Sequence, residues 1–125
     1  MRDEGEKSIE KQNEKVEDEF RQARHWRTEG NEGRARVCAR RAAGWAVGNY
    51  RRRSSQTDVD DDAYKQLIWL KDQTNEDQQL SEAADRLCTK VREDFELPHD
   101  EDPLEDARVI INGLQDLPAS GEALP

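Results

Sequence analysis

The chain has 125 residues, 33% of them apolar and 39% charged, and its formal net charge at pH 7 is −9. That length suits one domain with a small core, and no run of about 18 apolar residues exists to cross a membrane. No apolar segment follows Met1 to act as a secretory signal, and Cys38 and Cys88 lack metal-type or redox-type spacing, so both are expected as reduced, hydrophobe-like thiols in a cytoplasmic protein.

Helical periodicity runs through the chain, and no alternating run of β-branched and aromatic residues marks a strand. The expected fold is therefore all-α, a single-domain bundle of four or five helices over residues 8–117. Residues 1–7 are almost all charged or small, and residues 118–125 are turn formers without periodicity; both ends are expected to be flexible.

A first helix is expected from Ser8 to Glu29, with Ile9, Val16, Phe20 and Ala23 as a narrow apolar stripe and Gly30 as its left-handed stop. Asn31 can cap a second helix from Glu32 to Tyr50. Its face of Ala35, Cys38, Ala39, Ala42, Trp45 and Ala46 allows a close helix contact, with Trp45 filling volume. Arg51 to Thr57 reads as a polar break. A third helix from Asp60 to Thr74 carries Ala63, Tyr64, Leu67, Ile68 and Leu70. Trp69 falls off that stripe, placed either to meet a partner or to pack under the Arg51–Thr57 segment. Asn75 and Gln78 resemble a capping box for a fourth helix running to Phe95 and ended by Leu97-Pro98. Asp102-Pro103-Leu104-Glu105 is a well-formed start for a fifth, which presents Leu104, Ala107, Ile110, Ile111 and Leu114.

Charge is segregated along the chain. Residues 21–53 hold ten arginines, no lysine and only Glu29 and Glu32 as acids, a local charge of +8 against −17 elsewhere. On the second helix Arg36, Arg40 and Arg51 are expected opposite the alanine face, with Arg34 and Arg41 at its edge. Three uses are open: pairing with the protein's own acidic helices or a second copy, a solvated face, or an anionic partner. Arginine's planar fork suits phosphate, so Arg34, Arg36, Arg40, Arg41, Arg51, Arg52 and Arg53 are the candidate anion- or nucleic-acid-binding residues. The acidic remainder would repel a nucleic-acid polymer at long range.

Catalytic patterns are sparse. His25 reads as a surface residue. His99 stands among Glu96, Asp100, Glu101 and Asp102, without the spacing of a calcium loop or a zinc set. Asp58, Asp60, Asp61 and Asp62 read as helix-starting charge, Gly30-Asn31-Glu32-Gly33 lacks a phosphate-cradling pattern, and the serines have no nucleophile signature. No metal or cofactor is expected.

The segment from Ala23 and Trp26 through Gly30 and Gly33 to Ala35-Arg36-Val37-Cys38-Ala39-Arg40-Arg41-Ala42-Ala43-Gly44 resembles helical hairpins of two groups. A tetratricopeptide array would repeat after about 34 residues, and no such recurrence is found. HEPN-type bundles have a similar first hairpin. That resemblance implies a compact helical bundle, commonly dimeric, in a family that includes ribonucleases and nucleotide-associated proteins. Its nuclease members carry an Arg and, a turn or two later, a His, which Arg92 and His99 match in spacing. Pro98 interrupts the helix between them and the surroundings are acidic, so they would repel the phosphate that in-line attack on RNA must hold. The expectation is a non-enzymatic interaction module that self-associates as a homodimer through an alanine-rich or Trp-bearing helix face. The alternatives are an RNA- or nucleotide-binding accessory protein using the Arg21–Arg53 hairpin, and a HEPN-type ribonuclease.

Overall fold

The computed structural model describes residues 2–53, 62–73, 78–88 and 102–115. Among them lie five helices and no strand: α1 (Arg2–Thr28), α2 (Glu32–Arg53), α3 (Ala63–Gln73), α4 (Gln78–Cys88) and α5 (Pro103–Gln115). The all-α, single-domain bundle is the fold. Arg92 and His99, the acids Asp58, Asp60 and Asp61, the expected cap at Asn75, the end of the fourth helix at Phe95 to Pro98, and residues 118–125 lie outside the described residues.

Helices α2, α3, α4 and α5 form a ring in which each packs on the next and α5 returns to α2; α1 lies outside that ring, against α2 and barely touching α5. Hence α2 is the central helix, and it is buried on almost every side. The alanine face does pack closely, with Ala35, Ala39, Ala42 and Ala46 buried. It is spent inside the fold and offers no surface for a second copy. Gly44 shows how close the packing is: a Cβ there would stand 2.6 Å from the Cβ of Ala63 on α3. Leu67, Leu70, Leu80, Leu87, Ile110, Ile111 and Leu114 complete the core from the other helices.

The hairpin turn between α1 and α2 is built as its residues dictate. Gly30 sits at φ 81°, where a side chain would be strained. Its N–H bonds the Arg27 carbonyl, and the Asn31 N–H bonds the Trp26 carbonyl at 2.8 Å, which closes α1 with a Schellman motif. The Asn31 side chain then accepts the Arg34 N–H at 3.0 Å and caps α2. Asp62 caps α3 by accepting the Tyr64 N–H at 2.9 Å, and Asp102 caps α5 by accepting the Leu104 N–H at 3.0 Å.

Boundaries differ from the sequence expectation at α1, α2 and α3. Helix α1 starts at Arg2 instead of Ser8, α2 continues through Arg51, Arg52 and Arg53 instead of ending at Tyr50, and α3 starts at Ala63, after its cap Asp62, instead of at Asp60. The arginine run is good helix-forming sequence, and cations in a last turn face the negative end of the helix dipole. Both effects carry α2 through the expected polar break. Trp69 is resolved toward packing: the Arg51 guanidinium stands 4.6 Å over its ring, and Tyr50 lies 6.5 Å away.

Candidate functional site

The expected arginine surface divides into three environments. Arg36 is buried at 8% exposure rather than facing solvent, because α3 covers the side of α2 opposite α1. Its burial, with Arg40 nearby, pulls the guanidinium below its ordinary pKa, and its Nη2 has no hydrogen-bond partner among the described residues. At the C-terminal end of α2, Arg51 donates to Gln66 Oε1 at 3.0 Å and Arg53 lies near the Tyr50 ring; Arg51, Arg52 and Arg53 are all half-buried. Only Arg34, Arg40 and Arg41 come together on an open surface.

That surface is a groove along the α1–α2 hairpin. Its wider part, about 650 Å³, is lined by Asp18, Glu19, Gln22, Trp26, Arg34 and Arg41, with Val37 and Cys38 also on its wall. A second part of about 420 Å³ adds Arg40, Trp45, Asp62 and Tyr64, and shares Glu19, Val37 and Arg41 with the first. The two therefore form one continuous channel from the hairpin turn toward the start of α3.

Aromatic rings and cations alternate along the channel. Arg34 stands 4.6 Å over Trp26, Arg40 is 4.8 Å over Tyr64, and Lys15 is 4.4 Å over Trp45. His25 meets the edge of Trp26 with ring centroids 5.1 Å apart. Trp45, expected to fill core volume, is only half-buried, since it sits where α1 leaves the side of α2 open. Arg34 and Arg41 are exposed and make no ion pair among the described residues. A guanidinium held flat on a ring keeps its outer N–H donors directed at solvent.

Elsewhere the cations are used structurally. Arg27 makes a two-pronged contact with Asp102 at 2.8 Å for each bond, and a second with Glu32 at 3.0 Å. That contact is of the first of the three kinds left open by the charge pattern, pairing of the basic hairpin with the acidic body, seen among the described residues at Arg27. It holds the Asp102 carboxyl below its ordinary value, against the opposing effect of burial. Arg86 grips the buried Asp106 with its Nε and Nη2, the shortest bond being 2.8 Å.

Burial, reinforced by Glu19, pushes the Cys38 thiol above its ordinary pKa, and burial does the same to Cys88, so neither is a ready thiolate. No group of three or more His, Cys, Asp and Glu side chains converges on a metal-sized position among the described residues. None of the helices is long and apolar enough to cross a membrane.

Sequence reasoning missed the roles of Trp26, Lys15, Trp45 and Tyr64. They come from three different helices, and helical spacing within one element carries no sign of them. Comparison with known proteins gives no match: no family model fits the chain, and no curated protein or solved structure matches it.

Proposed function

We propose that this chain is a non-enzymatic helical interaction module that self-associates, the hairpin groove of one copy receiving acidic surface of a second. The observation that carries this reading is the groove itself: Arg34 and Arg41 are without acidic partners among the described residues, beside the half-buried rings of Trp26 and Trp45. Interfaces favour this pairing of arginine with large aromatics. Charge complementarity names the occupant, because the same chain supplies +8 over residues 21–53 and −17 elsewhere. Of the two helix faces expected for self-association, the Trp-bearing one is retained.

Light scattering tests it. The parent chain is expected to be a dimer at about 0.1 M salt, where charges within about 10 Å still attract. Arg34→Glu combined with Arg41→Glu is expected to give a folded monomer. A parent chain that stays monomeric at concentrations of about 100 μM, a weak-complex threshold, contradicts the proposal.

The alternation of rings and guanidiniums favours one second reading, a single-stranded RNA or nucleotide whose bases stack on Trp26 and Trp45. Its signature is binding of a labelled oligonucleotide that weakens steeply with salt. Absence of binding at about 50 mM salt, where such contacts are strongest, eliminates it.

A further inference from the structure

On the far side of α2 from the α3 contact, near its C-terminal end, lies a second and smaller cavity of about 150 Å³. Its walls are Val16 and Glu17 of α1, Ala46, Asn49 and Arg53 of α2, and Ile111 and Leu114 of α5. Asn49 is 3% exposed, and among the described residues neither its Oδ1 nor its Nδ2 has a hydrogen-bond partner. The Nε of Arg53 is likewise buried without a partner. Asn49 and Arg53 are four residues apart on one helix, so their side chains stand next to each other. A buried amide left unpaired on both atoms is costly, and leucine would fill the same place without that cost.

The unpaired atoms define a complement. Asn49 Nδ2 and Arg53 Nε are adjacent donors and suit the two oxygens of a carboxylate. Asn49 Oδ1 is an acceptor and calls for a donor on the same molecule. The Glu17 side chain, 48% exposed and 3.5 Å from Arg108, places a second acceptor at the rim. Val16, Ala46, Ile111 and Leu114 supply an apolar wall for a short aliphatic group. Cavities of this volume hold about six non-hydrogen atoms, the size of benzene. About five waters would also fill the volume, with Asn49, Arg53 and Glu17 as their polar partners.

We propose that this cavity binds a small aliphatic amino acid, its carboxylate on Arg53 and Asn49 Nδ2 and its ammonium toward Asn49 Oδ1 and Glu17. The site lies apart from the hairpin groove and shares no residue with it.

The test is an amide-NMR titration of the full chain with L-alanine, using propionate as the probe that lacks the ammonium. Saturable shifts are expected at Ala46, Asn49, Arg53 and Ile111, with propionate at least about tenfold weaker, the equivalent of 1.4 kcal/mol. Asn49→Leu is expected to remain folded, to melt no lower than the parent, and to lose the response. Arg53→Met keeps the aliphatic stem and is expected to lose it too. No saturable shift at about 10 mM L-alanine, a concentration that would fill a millimolar site, overturns the proposal and leaves solvent as the filling. An undiminished response in both folded variants overturns it as well. Propionate binding as tightly as L-alanine overturns the assignment of an amino acid.

Discussion

At the scale of single residues, two positions in the ring of helices should respond strongly to substitution. Gly44 is one of the closest approaches between helices, with the Ala63 Cα 2.7 Å from where its Cβ would be. Alanine is the better helix former by about 1 kcal/mol, and on local propensity Gly44→Ala would stabilise α2. The obstacle is backbone, which cannot swing aside, and overpacking of this kind costs about 1–3 kcal/mol. The expected net result is a loss of about 1 kcal/mol in urea unfolding; a gain would mean that α3 is free to retreat. Asp106 is the second position. It is 4% exposed and takes three hydrogen bonds from Arg86, whose own side chain is 24% exposed. Removing one member of a fully buried pair costs about 3–5 kcal/mol. Because Arg86 reaches solvent, Asp106→Ala is expected to lose about 2–3 kcal/mol in the same measurement. Neither constraint could be read from the chain, since Gly44 and Asp106 look like a helix-weakening glycine and a solvated acid until a second helix is placed beside them.

At the scale of elements, Asp102 joins two functions that the sequence displays separately. The Asp102-Pro103 start of α5 and the Gly30-Asn31 turn were legible because capping chemistry is local: the partner N–H lies within three residues of the capping side chain. That Asp102 also receives Arg27, 75 residues away in sequence, is a tertiary fact. The same limit explains the arginines of α2. The side opposite the alanine face is where α3 packs, so Arg36 is buried there, while Arg34 and Arg41 at its edge stay exposed. The Arg27–Asp102 link makes an acid-dependent prediction. The folded-state pKa of Asp102 lies below its ordinary 3.8, mainly because the Arg27 guanidinium donates to it. A depressed folded value stabilises the fold fully above the unfolded pKa, and that contribution disappears as pH falls from 3.8 through the folded value. Asn caps helices as well as Asp does, so Asp102→Asn isolates the charge pair. With both side chains about a third exposed, the pair should contribute no more than about 1 kcal/mol at neutral pH. Thermal melts of the variant and parent are expected to differ at pH 7 and to converge in strong acid. A difference that persists unchanged at low pH would assign the effect to the cap instead.

For the whole molecule, the segregation of charge makes opposite predictions about salt for an isolated chain and for one that pairs with itself. In an isolated chain the excess of acid repels itself, so added salt should raise the melting temperature equally at every protein concentration. A chain that docks its basic groove on acidic surface of a second copy behaves otherwise. Association stabilises the folded state by mass action, so the melting temperature should climb with protein concentration at low ionic strength. For a domain of this size about 1 kcal/mol corresponds to several degrees, which makes a tenfold concentration series easily resolved by calorimetry. Raising salt to about 1 M shortens the screening length to about 3 Å and should flatten that concentration dependence, even while it relieves the internal repulsion. The combined Arg34→Glu and Arg41→Glu variant separates the two effects. Each reversal adds repulsion to a chain already at −9, so its melting temperature should rise with salt more than the parent's, yet show no concentration dependence at any salt. A variant that keeps the parent's concentration dependence would place the contact between copies away from the hairpin groove, on a surface where neither Arg34 nor Arg41 takes part.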